Sequence, residues 1–277
     1  MSSDIISKLK ELDDLPALPQ TAKKVIDILN KPDFSFAELV SVISKDMNIT
    51  ASILKLANSA LYSPKSEIRN LTQAITFLGA TNIKNLVIAL STKTLFENFK
   101  ASLLIQKVWE HSVAVAIYSR IVALKISNKI SEEVFLIGML HDLGIIIMNQ
   151  YIKNYEEMIS EIYGTEESLY EKEKELFDIT HAEVGAKLVE LWNLPGIYSD
   201  AIKYHHSSED SKYKEYTKIV EYSDLVLSKN NMNIVSFTDE NRIEQLRNEF
   251  GIDVETSDEI DEMFNEVYQY EKELFKL

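Results

Sequence analysis

All five histidines of the 277-residue chain lie beyond residue 110, at His111, His141, His181, His205 and His206. One opens the quartet His141-Asp142-Leu143-Gly144, and Asp224 follows on a later apolar-patterned segment. Imidazole nitrogens with carboxylate oxygens suit iron, manganese, zinc or nickel. Neighbouring residues on a helix point about 100° apart, so His141 and Asp142 share a centre only from a helix end or by straddling two ions. A lone histidine on an apolar face is ordinarily a hydrogen-bonded core residue. His205-His206 before Ser207-Ser208-Glu209-Asp210 also reads as a solvated helix end, and Asp224 as a surface carboxylate. Because the seven residues sit on successive helical segments, which can face one interior, metal binding stands level with these blander readings.

The elements that must position them are helices throughout. Seven glycines and five prolines are few, and long stretches follow a 3.6-residue apolar period. A first helix ends near Leu12, and Leu15-Pro16-Ala17-Leu18-Pro19 is extended because proline disfavours helical dihedrals in its predecessor. Helix resumes at Gln20, and Ser35 with Glu38 has capping-box spacing for a helix to Lys45. Another helix carries Ile53, Leu54 and Leu56. Gly79 sits at a helix C-terminus, and a helix from Asn82 to Phe96 follows. The longest pattern, 102–127, carries His111, with Val108, Val113, Val115, Ile117, Ile121 and Val122 on its buried side. Ser131 caps the next helix, which runs into His141-Asp142, where Gly144 relaxes the backbone. Val134 to Met148 reads as a buried helix pair. Thr180 with Glu183 opens a helix at His181, a helix from Ile197 delivers His205-His206, and the next contains Asp224. From Asp239 onward two amphipathic helices are expected, the second capped from Thr256 with Glu259.

Composition excludes several functions. There is no cysteine, hence no disulfide, thiolate metal site or cysteine nucleophile, which fits a cytoplasmic protein. The polar start excludes a secretory signal, and no apolar run reaches the roughly 20 residues that span a bilayer. Neither a phosphate-binding glycine loop nor a nucleophile elbow is present. The net charge of −15 opposes nucleic acid and anionic lipid. Residues 1–100 carry 12 basic and 10 acidic side chains, and the remainder 17 and 34, so the acidity belongs to the second part. The short helix pair near residues 36–57 has too few basic groups on one face for a DNA reader. Glu166, Glu167, Glu171, Glu173 and Glu175 read as a solvated acidic face.

The order His111, His141-Asp142, His181, His205-His206, Asp224 resembles the HD phosphohydrolase superfamily. A more specific likeness is to its HDOD branch, the HD-related output domain of bacterial signalling proteins. It is carried by Leu15-Pro16-Ala17-Leu18-Pro19, Leu54-Lys55-Leu56-Ala57-Asn58-Ser59, Ala74-Ile75 with Leu78-Gly79, and Trp109-Glu110-His111-Ser112. Further motifs are Gly138-Met139-Leu140-His141-Asp142-Leu143-Gly144, His181-Ala182-Glu183-Val184-Gly185-Ala186 and Trp192-Asn193-Leu194-Pro195. The likeness spans about residues 10–226.

It implies an all-α, two-lobed helical bundle, with an amino-terminal lobe over 1–100 and an HD-like lobe with the metal site over 101–230; the segment 231–277 lies outside the likeness and reads from its amphipathicity as a helical extension. It implies one or two divalent ions, the first on His111, His141, Asp142 and Asp224. The second would use His181, His205 and His206, with Asp142 bridging. Catalytic relatives carry a lysine where Ile145 stands and a glycine-tyrosine-proline loop where Ser207-Ser208-Glu209-Asp210 stands. Binding is therefore placed ahead of catalysis: a regulatory module that engages signalling proteins, with a nucleotide or phosphate ligand allowed. The alternative is a metal-dependent phosphohydrolase acting on phosphate esters. No receiver or nucleotide-cyclase segment is recognised in the chain.

Overall fold

The computed structural model describes residues 16–276 except 60, 99–101, 128, 166, 231, 233 and 235–237. The helix expected before Leu12, together with Leu15, lies outside the described residues, as does Asn128 of the expected turn. Among the described residues all regular structure is helical. No single helix there is long and apolar enough to cross a membrane.

Before residue 100 the chain forms α1 (Gln20–Leu29), α2 (Phe36–Ile43), α3 (Met47–Ala57), α4 (Leu71–Leu78) and α5 (Ala80–Asn98). Ser35 accepts the Glu38 amide and Asp46 accepts that of Ile49, so short polar side chains fix where α2 and α3 begin. Gly79 ends α4 at φ 87°, a dihedral that suits glycine.

The axis of the molecule is α6 (Leu103–Ile126), started by Ser102, whose side chain accepts the Ile105 amide. The expected one-sided stripe is too narrow a description. Every residue from His111 to Ala123 is buried, because α7 (Ser131–Leu140), α13 (Lys214–Lys229) and α15 (Val254–Glu271) all pack on it. A helix covered from several sides keeps no polar face. Ser131 is the first residue of α7 instead of its cap; Ile130 holds the cap position, with no side chain closing it. Only His141 and Asp142 separate α7 from α8 (Leu143–Tyr151), and the pair is buried as expected.

Two helices, α9 (Tyr155–Ile162) and α10 (Leu169–Phe177), precede α11 (His181–Leu191) and α12 (Gly196–Lys203). Thr180 and Glu183 complete a reciprocal capping box at α11. A single 3-10 turn, Ser208–Asp210, leads to α13, and α14 (Glu240–Glu249) packs against it. The cap of α15 is Asp253, which accepts the Thr256 amide at 2.8 Å. That lies three residues before the expected position, because Asp253 has the extended backbone that a cap requires.

The carboxyl-terminal helix is held by buried charge. Arg120 and Glu271 are both fully buried and pair at 2.6 Å. Arg120 also donates to the Tyr62 hydroxyl, which donates to Glu132, and Ser59 donates to Glu271. One network thus joins the segment after α3 to α6, α7 and α15. Glu271→Ala strands a buried guanidinium, and a loss of about 3 kcal/mol is expected in urea unfolding.

Candidate metal centre

Three helices and two turns bring all seven candidate ligands around one cavity of about 490 Å3, with His141 behind its lining. His111 projects from the middle of α6, and Asp224 from α13 faces it, with Nε2 3.0 Å from Oδ1. His141 and Asp142 occupy the corner between α7 and α8, the helix-end placement that lets adjacent residues converge. His181 opens α11, and His205 and His206 follow the end of α12.

Asp142 lies between the two halves. Its Oδ2 is 3.2 Å from His141 Nε2 and 3.8 Å from His111 Nε2. Its Oδ1 is 3.4 Å from His181 Nε2 and 3.7 Å from His205 Nε2. Ligand atoms within 4.8 Å of one another form the groups His111/His141/Asp142, His181/His205/His206 and His141/His205/Asp224. The last group cuts across the expected division into two sets.

Imidazole tautomers are set by the groups behind the rings. The Nδ1 of His141 donates to the Gly138 carbonyl at 2.7 Å and that of His205 to Ile202 at 2.7 Å. His111 Nδ1 faces the Met232 carbonyl at 2.5 Å, and His181 Nδ1 faces Glu173 Oε2 at 2.7 Å. Each partner accepts the Nδ1 proton and leaves the Nε2 lone pair pointing inward, the arrangement seen behind metal-ligating histidines. His141 and His205 are fully buried, and their Nε2 atoms make no hydrogen bond despite the nearby Asp142 oxygens. A buried polar atom without a partner is costly. Two such nitrogens beside two carboxylates are chemically satisfied by a divalent cation. His206 keeps an exposed edge at the cavity mouth, with its Nε2 3.0 Å from that of His181.

The electrostatics without metal are those of a compressed charge cluster. Burial opposes ionisation of Asp142, but His141, His181 and His111 hold it well below the usual carboxylate range. Burial would discharge His141, yet Asp142 outweighs it and raises His141 to about 9. Desolvation and then the neighbouring imidazoles push His205 well down. A ligating imidazole must be neutral, so metal uptake displaces the His141 proton. The proton is present below about pH 9, so metal affinity falls as pH is lowered from there. For one displaced proton the change is about tenfold per pH unit, measurable by chelator competition at several pH values.

Glu173 is the functional neighbour that the sequence reading assigned to solvent. It is fully buried, and its Oε2 accepts both the backbone amide of His181 at 2.8 Å and the Nδ1 proton. Tyr155 donates to Oε1. A signal was present: Leu169, Glu173 and Phe177 recur at i, i+4 and i+8 and are the buried residues of α10. Glu173→Gln weakens the proton acceptor behind His181, and metal affinity is expected to fall about 10–100-fold in a metal titration.

Gly144 has a different role from the expected one. It lies inside α8 with an ordinary backbone, and a Cβ there would sit 1.9 Å from the His181 carbonyl oxygen. Its lack of a side chain lets α8 meet the start of α11, which sets His181 against Asp142.

The family model for the HDOD domain matches residues 15–208. The chain belongs to the HDOD domain family. Among solved structures this HDOD protein is similar to an HDOD domain protein of unknown function from Geobacter sulfurreducens, with 24% identity, 99% of each chain covered and a TM-score of 0.79. A candidate phosphohydrolase from Shewanella amazonensis SB2B is similar at 22% identity, covering 99% and 98% of the two chains, with a TM-score of 0.75. These likenesses support the all-helical fold. An uncharacterized protein of Treponema pallidum (strain Nichols) is 22% identical over 223 residues, which are 78% of this chain and 42% of that protein. The HDOD chain thus spans less than half the length of that curated relative.

Proposed function

We propose that this HDOD protein is a regulatory protein whose second half retains a metal-dependent phosphohydrolase centre. The observation that carries the proposal is the pair of buried Nε2 atoms of His141 and His205, which make no hydrogen bond and lie beside Asp142 and Asp224 at one side of the cavity. His111, His141, Asp142 and Asp224 would hold one ion and His181, His205 and His206 a second, with Asp142 between them. Nitrogen and oxygen donors without thiolate suit iron, manganese, zinc or nickel. A bound divalent ion supplies Lewis acidity toward a phosphoryl oxygen. The chain's own part is orientation. Backbone carbonyls and Glu173 fix the imidazole tautomers, and Ile145, Leu169 and Leu225 add apolar surface to the cavity lining.

One observation favours binding alone, the role the family likeness implies first. Ile145 lines the cavity as an apolar group and cannot stabilise phosphate charge. Hydrolysis of an aryl phosphate by manganese- or iron-loaded protein separates the readings. Turnover abolished by His141→Ala supports catalysis; metal uptake with no turnover on aryl phosphates, nucleotides or cyclic dinucleotides leaves the regulatory binding role.

A further inference from the structure

The charged lining of the cavity over the candidate metal centre is almost wholly acidic. Asp142, Glu171, Glu209, Glu221, Asp224 and Asp239 line it, and Arg242 is the only lysine or arginine among the described residues that do. Arg242 lies in the first turn of α14, beyond the residues matched by the family model. Several contacts fix that helix. Asp239 caps it by accepting the Arg242 amide at 3.0 Å, Leu246 is fully buried, and Lys218 pairs with Glu249 at 2.6 Å.

The guanidinium is clamped along one edge. Nε donates to Glu221 Oε1 at 2.8 Å, and Nη2 donates to Glu221 Oε2 at 2.8 Å and to Ser208 Oγ at 2.9 Å. Glu209 Oε1 lies 3.7 Å from Nη2. Ser208 itself donates to Glu221, so the carboxylate is held as well. A guanidinium has five N–H donors. The clamp uses the Nε hydrogen and both on Nη2, while Nη1 makes no hydrogen bond to a described residue. A guanidinium locked side-on has already lost its rotamer freedom and can offer its remaining edge to an anion at little further entropic cost.

Resting on the metal-dependent reading above, we propose that Arg242 is the anion-binding residue of this cavity and holds the phosphoryl group of a phosphate monoester through Nη1. The bound ions and Arg242 then grip the phosphate from separate walls. The wall formed by Leu169, Tyr170 and Ile145 takes the ester's organic group. The site therefore draws its cation from the carboxyl-terminal extension, and the ligand is bound only when α14 is docked.

The test is calorimetric binding of inorganic phosphate to full-length, manganese-loaded protein. Wild type is compared with Arg242→Lys and with Arg242→Gln/Glu221→Gln, the latter removing the buried charge that a single change would strand. Metal content and unfolding midpoint are measured on each sample, so only folded, loaded protein is compared. Phosphate affinity is expected to fall about tenfold or more in the double variant, with metal content unchanged. Arg242→Lys is expected to fall less, because it keeps the charge and loses the fork. Equal affinity in wild type and both variants, or metal uptake by wild type without phosphate binding, overturns the Arg242 assignment and leaves the metal centre standing. Absence of metal uptake by wild type overturns the underlying reading, and the Arg242 assignment falls with it.

Discussion

Asp142→Ala is expected to empty the candidate centre and reduce phosphate-ester hydrolysis by about 10³-fold or more, the scale of losing several kcal/mol of Lewis-acid stabilisation. The effect follows from position. Asp142 is the one candidate ligand whose two oxygens face different groups of imidazoles, Oδ2 toward His141 and His111, Oδ1 toward His181 and His205. Removing it takes a donor from both halves and one of the two carboxylate charges among the candidate ligands. The substitution also strips His141 of the carboxylate that keeps it charged in metal-free protein. The unfolding midpoint of metal-free Asp142→Ala at neutral pH then separates loss of metal from loss of fold. Metal content and turnover should vanish together in protein that still unfolds cooperatively. Retention of wild-type metal content would rule out the bridging role.

Gly144→Ala is expected to destabilise the chain by about 4 kcal/mol or more, beyond the range of an ordinary surface substitution. The added methyl would lie 1.9 Å from the His181 carbonyl oxygen, 2.7 Å from its carbon and 2.9 Å from the Gly185 nitrogen. All three are backbone atoms, so no side-chain rotation relieves the overlap and α8 must move from α11. That movement carries His181 away from Asp142. Urea unfolding should therefore show the loss, and metal affinity should fall in whatever protein stays folded. A variant with wild-type stability and metal affinity would contradict the close approach described here.

The helical fold was legible because apolar periodicity and polar caps act locally. Ser35 and Thr180 each accept an amide three residues on, where a glutamate stands, and such spacing is visible in a linear sequence. The seven candidate ligands were legible for a related reason, since histidine is rare in this chain and the five copies are spread over four apolar-patterned segments. What failed were roles decided by distant partners. Glu173 looked like one carboxylate among many until the turn before α11 placed the His181 amide and ring over it. Gly144 read as a local backbone hinge, whereas its reason lies 37 residues away, in the approach of α11. Arg242 drew no attention because its partners Glu221 and Ser208 are brought to it only when α14 packs on α13. The all-round burial of α6 from His111 to Ala123 likewise depends on α15, which returns to it from the end of the chain.

The most direct test of the central claim is the metal content of the full chain. The protein is purified without chelator and reconstituted with manganese or iron, alongside His141→Ala/Asp142→Ala. The expected result is about one to two equivalents in wild type, tight enough to survive gel filtration, and none in the double variant. Wild-type protein that stays folded and holds no more metal than the double variant would contradict the claim. The buried imidazoles would then be polar groups of the bundle and nothing more.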